Sequence, residues 1–242
     1  MQVYSQTDIG LMRSSNQDYC LTGRLPDGAV WAVVCDGMGG ANGGSTASHV
    51  AADTIAGQIR ELYAIPKYHD DLEKLLDTAV AIANQRVYDM SLNVFSLRGM
   101  GTTVVCAVVR QETVHILHAG DSRAYLYTEG ILRQLTKDHS VVQELVDRGE
   151  ITPEQADNHP HKHIITRALG TKENLQTDYT GAVFHKNDIL LMCTDGLSNC
   201  VPEDSLIEFL RTSPCSELTG RLIEKAKEMG GSDNITVAVI EG

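Results

Sequence analysis

Long apolar runs are missing from this sequence. The longest, 29–35, has seven residues, against ~18 for a membrane-spanning helix, so no membrane segment is expected. The opening Met1-Gln2-Val3-Tyr4-Ser5 has neither the basic start nor the apolar stretch of a signal peptide. Basic residues are also scarce: 20 Lys and Arg stand against 32 Asp and Glu, for a net charge of −12. Nucleic-acid binding needs a basic footprint, so no nucleic-acid partner is expected. The acidity suits a protein that gathers carboxylates around a cation. No CxxC pair occurs among the six cysteines. Cys35, Cys106 and Cys193 lie inside apolar runs and read as buried, reduced thiols. These absences together predict a cytoplasmic protein. Repeats, low-complexity tracts and linkers are absent too. With 42% apolar and 21% charged residues, the chain has an ordinary globular balance. Residues 1–242 read as a single domain large enough to bury a sizeable core.

Short β-branched runs predict strands near 2–9, 19–22, 30–35, 102–109, 114–118, 124–127, 177–183, 188–193 and 234–240. Between the third and fourth, two amphipathic helices are expected. One carries Ala47, Val50, Ala51, Ile55, Ile59 and Leu62 on a single face; the other carries Leu72, Leu75, Leu76, Ala79, Ala83, Val87 and Met90. A polar stretch follows, with a short helix over 140–148. Thr152, Pro153 and Gln155 then spell a helix start with a capping box. Two more helices are predicted over 202–210 and 217–229, the latter stopped by Gly230-Gly231. Strands cluster and helices come in pairs, which favours α+β layers over alternating βαβ units.

Four aspartates share one local grammar. Each ends or follows an apolar run and sits beside Gly, Ser or Asn: Asp36 before Gly37-Met38-Gly39-Gly40, Asp121 in Gly120-Asp121-Ser122-Arg123, Asp195 before Gly196, and Asp233 in Ser232-Asp233-Asn234. A single Asp-Gly is usually a turn, as expected for Asp27-Gly28. Four carboxylates at the ends of the most apolar strands are another matter. Unpaired carboxylates beside a core are costly, and several together raise one another's pKa. A divalent cation relieves both costs, and all-oxygen ligands point to Mg²⁺ or Mn²⁺.

The glycine-rich stretch after Asp36 fails both nucleotide patterns. Ser45 stands where a Walker A loop needs Lys, and Asn42 replaces the last glycine of GxGxxG. Asp36 would also repel a phosphate. The glycines fit a metal site better, letting the backbone approach an ion and the Gly37 carbonyl serve as a ligand. In the N-terminal segment, Arg13 offers a planar donor fork for phosphate oxygens, and Asp18 could accept hydrogen bonds from metal-bound water.

These motifs, in order, resemble the metal-dependent Ser/Thr protein phosphatases of type 2C, the PPM family, in their compact bacterial form. The match includes Arg13-x-x-Asn16-Gln17-Asp18, Asp36-Gly37-Met38-Gly39-Gly40, Gly101-Thr102-Thr103, Gly120-Asp121-Ser122-Arg123, Leu135-Thr136-x-Asp138-His139-Ser140, Ile165-Thr166-Arg167-Ala168-Leu169-Gly170, Thr194-Asp195-Gly196-Leu197 and Ser232-Asp233-Asn234-Ile235-Thr236-Val237. The resemblance implies a central antiparallel β-sandwich flanked by helical layers, a four-layer αββα fold, with a flap over about 137–168. It implies that Asp36 bridges two metals, that Asp195 and Asp233 hold the first, and that the Gly37 carbonyl and the waters leaning on Asp18 hold the second. Asp121, with Asp195, would bind a third and weaker ion. Arg13 would grip the substrate phosphate while a bridging water attacks phosphorus. The substrates implied are phosphorylated proteins, including a bacterial Ser/Thr kinase and that kinase's targets, and the chain is expected to act as a monomer.

Two departures stand out. Gln17 replaces an acidic residue and brings no charge, which predicts weaker binding at the second metal. Met38 replaces a histidine that could protonate the leaving group, so another residue or a water must do so. Within His159-Pro160-His161-Lys162-His163, His161 is the candidate for substrate contact or proton transfer, an inert exposed loop is the alternative, and zinc is not expected. His115, His118 and His139 are read as structural, Arg123 as an ion-pair partner, and Asn234 as a turn residue behind the ligands. Two other functions fit the composition. A regulatory module that has lost its chemistry is opposed by the complete set of carboxylates. A hydrolase of a small phosphorylated metabolite would need an enclosed pocket.

Overall fold

The computed structural model describes the backbone of residues 1–242 and every side chain except those of Ala41, Asn42 and Asp157. The apolar runs become strands of two antiparallel sheets. One holds, in spatial order, β1 (Gln2–Asp8), β11 (Ile235–Glu241), β10 (Ile189–Cys193), β7 (Arg123–Thr128) and β8 (Ile131–Gln134). The other holds β2 (Asp18–Arg24), β3 (Val30–Met38), β5 (Val104–Arg110), β6 (Thr113–Ala119) and β9 (Asp178–Val183), with the two-residue β4 (Gly101–Thr102) paired to the end of β3.

The strands read as continuous apolar runs because both of their faces are buried. On β3, Trp31, Val33 and Cys35 pack with Ala51, Ile55 and Ile59 of α1 (Gly40–Tyr63) and with Leu75, Ala79 and Ala83 of α3 (Leu72–Asn93). The alternate residues Val30, Ala32 and Val34 face the other sheet, against Leu190, Met192, Ala238 and Ile240. The outer face of the β10–β11 sheet, with Leu191, Val237 and Val239, is covered by Leu206 and Leu210 of α7 (Glu203–Thr212) and Leu218 and Leu222 of α8 (Cys215–Glu228). The result is the expected αββα order. Burying each such Val, Leu or Ile is worth roughly 1.5–3 kcal/mol, so the three apolar layers hold the strand ends, and with them the site, in register.

Short elements escape the sequence reading. The edge strand β8 is half polar, and α2 (Pro66–His69) and α6 (Asp195–Ser198) are single turns. The run expected over 102–109 splits at Thr103, whose N–H leaves the ladder to donate to the Asp36 carbonyl at 2.8 Å. The polar stretch after β8 carries α4 (Val141–Asp147), capped by Ser140, and α5 (Pro153–Asp157), which has the anticipated Thr152/Gln155 capping box. All six cysteines are free, and among the described residues no helix is long and apolar enough to cross a membrane.

Candidate active site and metal centre

The strand ends of the two sheets meet at one rim of the sandwich. Asp18 opens β2 and stands directly opposite Asp36 of β3 in the antiparallel register. Like charges in that position repel. Asp18 is only 3% exposed. Its Oδ2 accepts from Thr194 Oγ1 at 2.7 Å, while Oδ1 is buried without a hydrogen-bond partner. Burial, reinforced by Asp195 and Asp233 and opposed by bonds from Thr194 and Thr236, pushes the Asp18 carboxyl up to about 7. Burial also drives Asp36 well above the usual carboxylate range, helped by Asp18, Asp195, Asp121 and Asp233. The backbone of Asp36 is pinned on both sides. Its N–H donates to Thr103 Oγ1 at 3.0 Å, and its carbonyl accepts from Thr102 Oγ1 at 2.9 Å. This explains the Gly101-Thr102-Thr103 motif.

The opposing sheet supplies Asp195, at the start of α6, and Asp233, just before β11. Asp195 Oδ2 accepts from Asn199 Nδ2 at 3.0 Å, and its buried Oδ1 has no partner. Burial and then Asp233 raise its carboxyl, eased by His163 and Arg13. Asp233 Oδ2 accepts from Arg13 Nη2 at 2.7 Å. Asp121 is pushed up to about 7, first by burial and then by Asp195 and Asp138. The glycine beside Asp36 is required by space: a Cβ on Gly37 would lie 2.1 Å from the Gly44 carbonyl oxygen. Gln17 donates from Nε2 to the Gly40 carbonyl at 2.9 Å.

Asn234 is a clasp between the two ends of the chain. Its Nδ2 donates to the carbonyls of Ile9 at 2.9 Å and Ser15 at 3.0 Å, and its Oδ1 accepts from Gln17 N at 2.8 Å. Those bonds hold the loop that carries Arg13. Asn234→Ala should remove all three, lower the melting temperature by several degrees, and weaken phosphate binding. Thermal melts and inhibition by inorganic phosphate check both effects.

The carboxylates fit divalent cations. As carboxylates they accept without donating; Asp18 is buried and the others are half-buried, they crowd one another, and two of their oxygens lack any donor. An all-oxygen set of this kind matches Mg²⁺ or Mn²⁺. Elsewhere, His118, His139 and Asp178 bring ligand-type atoms within 4.8 Å of one another. That group does not suit a metal. The two imidazoles stack with centroids 4.6 Å apart and planes at 7°, so their in-plane lone pairs run side by side. His139 Nδ1 accepts from Gly120 N at 3.1 Å, and its Nε2 faces Asp178 at 3.1 Å, with Arg167 already beside both. This network supports the Gly120-Asp121 turn from behind.

The profile of the family described as protein phosphatase 2C matches residues 12–221. The chain belongs to the protein phosphatase 2C family. It is similar to the serine/threonine phosphatase stp of Listeria monocytogenes, at 39% identity over all of this chain and 96% of that protein. Its fold is similar to the crystal structure of the Mycobacterium tuberculosis serine/threonine phosphatase PstP/Ppp, with a TM-score of 0.90 and 35% identity over 99% of this chain and 97% of that one. It is also similar to the PstP catalytic domain in complex with two manganese ions, with a TM-score of 0.87 and 34% identity over 99% and 97% of the two chains. This chain is therefore a metal-dependent serine/threonine protein phosphatase.

In this 2C phosphatase, Arg13, Gln17, Asp36, Gly37, Asp121, Asp195, Asp233 and Asn234 all line one cleft of about 690 Å³. Asp18 lies beneath it, opposite Asp36. His161 does not line the cleft: it is exposed on a turn, its ring edge-on to His159 at 5.3 Å. The histidine in the cleft wall is His163. Arg123 is the expected ion-pair partner, 2.7 Å from Asp138. His115 and His118 sit on opposite faces of β6, as their spacing requires: His115 bonds Tyr179 Oη at 2.7 Å, and His118 reaches the Lys137 carbonyl at 2.8 Å. The residues that sequence reasoning passed over are Thr194, Thr103 and His163. Thr194 offered one local signal, a hydroxyl immediately before Asp195 at the end of an apolar strand.

Proposed function

We propose that this phosphatase hydrolyses phosphoserine and phosphothreonine in proteins at a centre of two Mn²⁺ or Mg²⁺ ions, with a third, weaker ion. The observation that carries the reading is the pair of buried, donorless oxygens on Asp18 and Asp195 within a ring of raised carboxyls. Asp36 would bridge two ions, Asp195 and Asp233 would hold the first, and the Gly37 carbonyl, with Asp18 acting through water, would hold the second. Asp121, with Asp195, would hold the third. When bound, such ions activate water as the nucleophile and offset charge on the transferring phosphoryl. The two manganese ions of the similar PstP complex support this count.

Arg13 is the residue for the phosphate. Its side chain is 53% exposed at the cleft rim, and its planar fork has donors beyond the one given to Asp233. A half-exposed clamp favours a phosphorylated segment of a protein over an enclosed metabolite. A Ser/Thr kinase and its substrates are the proposed partners. The chain would act as a monomer, and six free thiols agree with a cytoplasmic setting.

The test is phosphate release from a phosphothreonine peptide with roughly 1–2 mM Mn²⁺ or with EDTA. Release is expected only with the cation. Arg13→Ala should raise KM by about tenfold or more, as expected for losing charge-assisted bonds to phosphate. A normal KM would remove Arg13 from this position.

A further inference from the structure

We propose that His163 is the proton donor to the leaving hydroxyl of the substrate. The proposal rests on the phosphatase reading above and adds a residue to it. Water attacks phosphorus, the bond between phosphorus and the serine or threonine oxygen breaks, and its electron pair stays on that oxygen. An alkoxide is a poor leaving group unless it receives a proton as the bond breaks. The proton comes from the His163 ring nitrogen. The proton lost by the attacking water returns to the imidazole through solvent, so the products are the free hydroxyl and inorganic phosphate.

Few groups in the cleft can do this. Met38 lines it and has no proton to give. The hydroxyls of Ser14, Ser15 and Ser232 and the guanidinium of Arg13 hold their protons too tightly at neutral pH. The carboxylates are committed to the cations. Among the described residues, His163 is the imidazole in the cleft wall, and imidazole is the side chain suited to giving up a proton near neutrality.

The backbone fixes where this ring stands. Just beyond His163, the Ile164 carbonyl accepts from Val141 N at 2.9 Å, Ile165 bridges to Ser140, and Thr166 N donates to the His139 carbonyl at 2.8 Å. His163, itself exposed, is thus the residue just before the polar stretch is clamped back onto the sandwich, and it lines the same cleft as Asp195. The influence of His163 on the Asp195 carboxyl agrees with that position. His161, two residues earlier on the same exposed turn, does not line the cleft. His139 is committed through both ring nitrogens behind Gly120.

The experiment compares wild type, His163→Ala and His163→Gln on two substrates with Mn²⁺ present. One is a phosphothreonine peptide, whose alkoxide needs the proton. The other is para-nitrophenyl phosphate, whose acidic phenol leaves with little help. On the peptide, kcat should fall about 100-fold in both variants. On the aryl ester, the fall should be at least about tenfold smaller, and added imidazole should restore part of the peptide rate of His163→Ala. Equal losses on both substrates, or no loss on the peptide, would overturn the assignment while leaving the phosphatase reading in place. A wild type inert toward the peptide with Mn²⁺ would overturn the reading and the assignment together.

Discussion

Asp36→Ala should lower Mn²⁺-dependent phosphate release at least ~10³-fold while leaving the fold intact. Asp36 lies where four other carboxylates converge, and every cation of the proposed centre depends on it directly or through a neighbour. The substitution also removes the most crowded carboxyl from the rim, one that burial and four neighbouring carboxylates drive well above the usual range. In EDTA, the variant should therefore melt at a higher temperature than wild type, because the cost of burying that carboxyl opposite Asp18 is gone. The rise in melting temperature that Mn²⁺ gives the wild type should vanish in the variant. Phosphate release and melts with and without Mn²⁺ read both effects. Full turnover, or an undiminished Mn²⁺-induced rise, would refute the assignment of Asp36.

Stripped of cations, the protein should lose stability as pH rises from about 4 to about 8. Asp18 and Asp121 are pushed up to about 7, mainly by burial and then by neighbouring carboxylates. In the unfolded chain, such groups titrate near ~3.9. Between these values the folded state holds protons that the unfolded state has released, so the stability slope with pH is negative. The loss begins above the unfolded pKa and is complete once pH passes the folded one. Its size is on the order of several kcal/mol. Urea midpoints in EDTA should fall across this range, the gap to the Mn²⁺-bound protein should widen, and Asp18→Asn should flatten the slope. A midpoint in EDTA that stays level or rises would contradict the description of the site.

The long strands were legible because the sandwich buries both faces of β3, β5, β10 and β11, leaving runs of apolar residues. The short polar elements β8, α2 and α6 had no such signature, since one turn or four half-exposed residues have no period to detect. Asp36, Asp121, Asp195 and Asp233 were legible for a local reason: a carboxylate ends or follows an apolar strand beside a small residue. Asp18 and Arg13 gained meaning from their resemblance to the phosphatase motif. Thr194 did not stand out because its partner, Asp18, comes from the far end of the chain. The choice among His159, His161 and His163 depends on the bridge between Ser140 and Ile165. That is a tertiary contact between residues on either side of the polar stretch, and no local pattern reveals it.

The pairing of β1 with β11, fastened by Asn234, has a consequence for how the enzyme is made. Arg13 leaves the ribosome 220 residues before Asp233, its partner in the cleft. The first sheet has a gap beside β1 until β11 is synthesised. A nascent chain can therefore form the helix-covered second sheet and still have no catalytic centre. Until β11 emerges, its buried Val237, Val239 and Ile240 are also missing from the two apolar layers it joins, so the chain gains that part of its core and its catalytic centre in the same step.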